Sequence, residues 1–248
     1  VHFPASRHGT VDAHPFGVMT RVTLTIAFSV IFAGQALAQG TSESRPALTL
    51  GTEVVASSQY IWRGFQEGGF SVQPNTWLEF GGVRASTWFN LSEVPTEPAK
   101  LTERNFSLKY GRRVGSYDVS GGWIGYFFTN HRGHSHEGFV AIKREGRLSP
   151  SAVVYHDFRL GRGTYIQASA AHRLADLLPG LDLSSSVGVG YNHHHWTEHS
   201  GLSDANFGAK ATWRHGRLAV GPFINHSRSL NESIVPTRTY GGIEVAVR

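Results

Sequence analysis

The stretch Ala205-Asn206-Phe207-Gly208-Ala209-Lys210-Ala211-Thr212-Trp213-Arg214 alternates small or apolar residues with polar ones, with Gly208 alone departing from the polar phase. A period of two marks a strand with two unlike faces, because successive Cβ atoms point to opposite sides of a sheet. Phe207, Ala209, Ala211 and Trp213 share one face, and Asn206, Lys210, Thr212 and Arg214 share the other. His215-Gly216 then reads as a tight turn, and alternation resumes from Leu218 to His226.

The same pattern runs along the chain in both directions. Thr164 to Arg173 sets Ile166, Ala168 and Ala170 against Gln167, Ser169 and Arg173, and Leu181 to Asn192 sets Leu183, Val187 and Val189 against Asp182, Ser184 and Ser186. Near the start, Leu48, Leu50, Thr52, Val54 and Ala56 oppose Thr49, Gly51, Glu53 and Ser57. About twelve such segments follow Leu48, joined alternately by tight turns such as Gly81-Gly82 and by longer polar loops. A soluble sheet buries its apolar face under a second layer, whereas a closed membrane barrel turns that face to lipid and satisfies every backbone group by strand pairing. Unequal connections fit the second case, with the long loops outside the cell. The expected fold is therefore all-β: a closed antiparallel transmembrane β-barrel of about twelve strands in a Gram-negative outer membrane.

Composition agrees. The 248 residues are 40% hydrophobic with 29 Gly, and the mean hydropathy is −0.22, too polar for a helical membrane protein. There are no cysteines, which excludes a disulfide scaffold and any thiolate metal site. The net charge of +5 is spread one or two residues per strand, which argues against nucleic acid and for a basic lumen or mouth. Met19 to Ala38 has a basic start, an apolar core and a small-residue site at Ala36-Leu37-Ala38, the pattern of a cleaved signal peptide. The expected organisation is an overextended start over 1–18, a signal peptide over 19–38, a periplasmic tether over 39–46 and the barrel over 47–248.

Gln59-Tyr60-Ile61-Trp62-Arg63-Gly64-Phe65-Gln66 resembles the segment after the first strand of the TorF-type porins, a group of bacterial outer-membrane proteins. The resemblance extends loosely over the mature chain. It implies a closed antiparallel barrel with channel function and supplies no substrate or catalytic residue. The last strand departs from what assembly machinery usually recognises, because it closes on Val247-Arg248 in place of a terminal Phe or Trp.

Inward phase gives the candidate lumen residues, since a hydrated lumen tolerates charge at far lower cost than the lipid face. These are Glu53, Arg84, Glu103, Lys109, Asp118, Asp157, Arg159, Asp182, Lys210, Arg214 and Glu244. They either line an aqueous pore for small hydrophilic solutes or close the lumen with ion pairs. Arg63 is expected at the outer mouth, selecting solutes or pairing with Glu53 or Glu67 to fix the first loop, with Gly64, Gly68 and Gly69 as loop residues at positive φ. Tyr60, Trp62, Trp77, Trp88, Trp123, Tyr126, Tyr155, Tyr165, Tyr191, Trp196, Trp213 and Tyr240 fall near strand ends and suit interfacial girdles.

Two histidine tracts, His131, His134 and His136 with Glu137, and His193, His194, His195 and His199 with Glu198, fall in outer loops of the same rim. Such a ligand set suits Zn²⁺, Cu²⁺ or Ni²⁺, and its protonation near pH 6 would change the loop charge; incidental enrichment of mobile loops is the other reading. No cofactor is otherwise implied. Expected partners are outer-membrane lipids, the barrel assembly machinery, small solutes and further copies in a homo-oligomer. The alternatives are a plugged structural or adhesive barrel and a lipid-modifying enzyme. The enzyme lacks a serine at a fitting distance from His156 and Asp157.

Overall fold

The computed structural model describes residues 47–94, 97–129 and 133–248. The expected leader, signal peptide and tether lie outside them. Twelve strands close into one antiparallel barrel: β1 (Thr49–Ser57), β4 (Ser71–Phe80), β5 (Val83–Val94), β6 (Glu97–Val114), β7 (Tyr117–Phe128), β8 (His134–Arg144), β9 (Ser151–Asp157), β10 (Thr164–Leu178), β11 (Leu181–His193), β12 (Ser200–His215), β13 (Leu218–Ser229) and β14 (Arg238–Val247). Each strand pairs with its neighbours in sequence, and β1 closes the ring by pairing with β14, Val54 opposite Val245. Two further short strands, β2 (Tyr60–Trp62) and β3 (Phe65–Gly68), form a separate hairpin inside the first outer connection.

Among the described residues closure leaves the ring without a free edge strand, and the outer surface is apolar on every strand of the ring. Leu50, Leu78, Leu108, Val140, Val154, Ile166, Val187, Phe207, Ile224 and Ile243 are all exposed large side chains on the outward phase. In water such a belt would be unfavourable, whereas lipid solvates it. The inward phase is polar, with hydroxyls bonded across neighbouring strands, Ser86 to Ser107 at 2.6 Å and Ser151 to Ser169 at 2.8 Å.

The aromatic residues divide differently from the expected girdles. Of the twelve, Trp123, Tyr191 and Trp213 face outward and are exposed. Tyr60, Trp77, Tyr126 and Tyr165 are buried, and Trp62, Trp88, Tyr155 and Tyr240 line the interior beside them. Position near a strand end does not decide the matter; the parity of each residue along its strand does.

Candidate functional site: a hairpin across the barrel

The first outer connection does not extend into solvent but turns back into the barrel. Trp62 pairs with Phe65, so Arg63-Gly64 is a two-residue turn, and both residues have positive φ, 51° and 83°. That is the geometry of a type I′ hairpin, for which glycine at the second position is the natural choice. Gly68 and Gly69, in contrast, do not sit in the left-handed region. Gly68 is needed because a Cβ there would lie 2.3 Å from Ser92 Oγ on the barrel wall.

Arg63 at the tip reaches strands on the far side of the ring. Its Nη1 and Nη2 donate to Glu137 Oε2 and Oε1 at 2.7 and 2.6 Å, a bidentate pair in which Arg63 is 9% exposed and Glu137 fully buried. The guanidinium lies 3.7 Å above the Tyr155 ring and 4.5 Å from that of Trp62. Tyr126 Oη donates to Glu137 Oε1 at 2.9 Å, and His195 Nε2 stands 3.0 Å from both Glu137 Oε2 and Arg63 Nη1. β8, β9 and β10 thus each supply a wall group (Glu137, Tyr155 and the nearby Tyr165) to a residue that leaves the ring between β1 and β4. The partner of Arg63 is Glu137, not the Glu53 or Glu67 that proximity in sequence suggested, and its place is inside the barrel.

Two more outer connections fold over the hairpin. The segment after β11 is held by Asn192, whose Nδ2 donates to His195 O and whose Oδ1 accepts from His195 N. It sets Trp196 edge-on to Trp62 at 6.0 Å and to Phe128 at 5.6 Å. The connection after β13 buries Val235 completely against Gly64. Asp157 belongs to this framework, accepting from Ser135 Oγ and from the backbone amides of Arg159 and Gly161. Arg159 itself lies in the exposed connection after β9, outside the lumen.

The remaining candidate lumen residues face inward, mostly as pairs. At the tight-turn end Arg84 bonds Glu79 at 2.5 Å, Arg113 bonds Asp118 at 2.9 Å, and Asp182 accepts from Arg173 at 2.5 Å and Arg214 at 3.0 Å. Lys109 stands opposite Arg84 across β5 and β6. Farther in, Lys210 pairs with Glu244 at 2.7 Å across β13, where Gly221 leaves the space: a Cβ there would lie 2.8 Å from Lys210 Cε. Glu53 accepts from Asn75 Nδ2 at 3.0 Å, and Glu103 accepts from Tyr60 Oη at 3.2 Å and Asn105 Nδ2 at 2.8 Å.

The histidine tracts do not converge. His134 and His136 lie on the outward phase of β8, His136 stacked on Trp123 at 5.5 Å, and His193, His194 and His199 are exposed around the β11 to β12 connection. His131 lies outside the described residues. Among the described residues no three His, Cys, Asp or Glu groups are arranged to hold a metal ion. His195 is the exception in position: it is buried against Arg63 and Glu137, and burial holds its imidazole below the ordinary histidine value, aided by Arg63 and opposed by Glu137. The fold therefore favours neutral His195. Its contribution is complete above the ordinary pKa of about 6.5 and is lost as pH falls through the lowered value. Heat-modifiability on gels should show an unfolding midpoint that drops more steeply on acidification for the natural chain than for His195→Gln; parallel curves between about pH 4 and 8 would remove His195 from the account.

Glu137, a candidate metal ligand by its place beside His136, is the buried partner of Arg63, and Tyr126, Tyr155 and Tyr165 surround the pair. Their inward parity was the available signal. The solved structures that this chain resembles share its architecture. The NanC porin superposes with a TM-score of 0.56 at 9% identity, over 79% of this chain and 99% of that one. The likeness is one of fold. An outer-membrane channel of Pseudomonas putida F1, COG4313, gives a TM-score of 0.48 at 10% identity over 84% of this chain and 99% of its own. Salmonella typhi OmpF gives 0.40 at 9% over 81% and 97%. No family model and no curated protein matches the sequence. With its lipid-facing belt, the chain has the fold of a bacterial outer-membrane barrel.

Proposed function

We propose that the chain is an outer-membrane channel of the TorF type that passes small hydrophilic solutes by diffusion, with the β2–β3 hairpin setting the width of its outer half. The observation that carries this reading is the polar interior below the hairpin: a cavity of about 580 Å³ lined by amide, hydroxyl and aromatic side chains, continuous in kind from β4 round to β14. A barrel that served only as a scaffold has no use for such a space, and apolar side chains would fill it at lower cost. The shared fold of the NanC porin supports the same direction.

The charges at the tight-turn end are only partly paired, since Arg173 and Arg214 share the one carboxylate of Asp182 and Lys109 stands opposite Arg84, so that mouth keeps a positive excess and is expected to admit small anions more readily than cations of the same size. Reconstituted protein in planar bilayers should give discrete ohmic steps in KCl, and liposomes containing it should swell in isosmotic solutes at rates that fall with solute size. A sealed bilayer and non-swelling liposomes from heat-modifiable, folded protein would instead assign the barrel a structural role. The hairpin gives that second reading its one specific support, since it stands across the lumen and is anchored on both sides.

A further inference from the structure

The cavity beneath the hairpin has an unusual charge economy for a lumen bounded by so many ionised residues. Arg63 is the one charged side chain among the described residues that line it, and that guanidinium is already committed to Glu137 and to the Tyr155 ring; the adjoining space below holds Lys210 and Glu244, paired with each other. The acids closest to the wall do not line the cavity: Glu53 is bonded by Asn75, and Glu103 by Tyr60 and Asn105, so amide and phenol groups stand between them and the space. What the wall offers instead is amides on four sides, Asn75, Asn105, Gln167 and Asn206, together with aromatic faces such as Trp88 and Tyr240. Asn75 and Asn105 each give an amide hydrogen to a carboxylate, which fixes the orientation in which the two side chains meet the cavity.

Each of these features selects for one chemistry. An amide can donate and accept at once, which matches a hydroxyl group in either role. An aromatic face beside them suits the apolar C–H face of a ring that carries hydroxyls on its rim. An ion gains less, because it would leave water for a lining whose one charged group, Arg63, is already paired with Glu137. At about 580 Å³ the space lies within the ~300 to 1,000 Å³ usual for small-molecule sites. We infer that this cavity is a binding station for neutral polyhydroxylated rings, that is, mono- or disaccharides, met by a solute on its way through the barrel. The inference deepens the channel reading and rests on it for the solute's route, though not for binding itself.

Three measurements on the full barrel test it. In detergent, D-glucose should change the tryptophan fluorescence in a saturable way, since Trp62 and Trp88 line the cavity. In liposomes, glucose should enter several-fold faster than gluconate or glucosamine, which match it in size and differ in charge. In planar bilayers, millimolar glucose should interrupt the potassium chloride current. Gln167→Lys, which sets a free cation in the wall, should shift the swelling order toward gluconate and weaken the interruption. Equal rates for the three solutes with no fluorescence change would overturn the station while leaving the channel. Saturable fluorescence without any passage would keep the station and overturn the channel. No response in any of the three assays would overturn both.

Discussion

Replacing Arg63 with alanine is expected to destabilise the barrel by about 3 to 5 kcal/mol and to raise its conductance. The first effect follows from burial. Glu137 is fully buried and receives Arg63 through two hydrogen bonds, so truncating Arg63 leaves a carboxylate in the wall with only Tyr126 and His195 to satisfy it. The second follows from topology, because Arg63 is the tip of the hairpin and the group by which it holds the far wall. Arg63→Lys should recover only part of the loss: an ammonium keeps the charge but cannot span both carboxylate oxygens or lie flat on Tyr155. Changing Arg63 and Glu137 together to methionine removes the orphaned charge and should restore most of the stability while leaving the conductance high. Heat-modifiability on gels reads the first quantity and single-channel recording the second. If Arg63→Ala leaves both unchanged, the hairpin is held by Trp62, Trp196 and Val235 alone.

That arrangement explains why the barrel was legible in the sequence and its interior was not. Strand phase is local: Glu53, Lys109, Lys210 and Glu244 face inward as alternation requires, and the turn at Gly81-Gly82, where both residues take positive φ, comes directly from the dipeptide. The destination of the first connection is not local. Ser58 to Pro74 carries glycines and polar residues, so it reads as an exposed loop, yet its decisive contacts are to Glu137 and His195, 74 and 132 positions away. No periodicity within the segment encodes a partner at that distance. The Gln59 to Gln66 motif marked the place without giving the partner. Its Arg-Gly pair is a hairpin turn and its aromatics pack the tip, with Trp62 5.8 Å from Tyr126 and 5.4 Å from His195. The histidine tracts are separated for the converse reason. Proximity along the chain placed them on one rim, but alternation sends His134 and His136 outward while the Asn192 side chain draws His195 inward, so the tracts are divided by the wall.

Adjacent residues on β11 give the sharpest test of the phase on which all of this rests. Val187 is exposed on the outward face among Ala170 and Phe207, midway along the strand, whereas Ser186 lines the cavity. Val187→Arg places a guanidinium against hydrocarbon, and at membrane mid-depth this costs about 2 to 4 kcal/mol. Ser186→Arg places the same group in the hydrated lumen, where it can reach water and the amides of Asn206 and Asn225 around it. The expected result is a clear separation. Val187→Arg lowers the unfolding midpoint and the folded yield while leaving the conductance of the folded fraction near that of the natural chain. Ser186→Arg leaves the midpoint nearly unchanged and cuts the conductance, because a long side chain now fills part of the space below the hairpin. The reverse pattern would invert the barrel's two faces and move the polar cavity out of the solute's path. Equal losses in both variants would mean that the wall at this level is closed on both sides, as a plugged barrel requires. Both substitutions add one positive charge at neighbouring positions of one strand, so global charge cancels; the loss of the β-branched valine adds less than the ~1 kcal/mol spanned by the whole strand-propensity scale, and what remains is the difference between lipid and lumen.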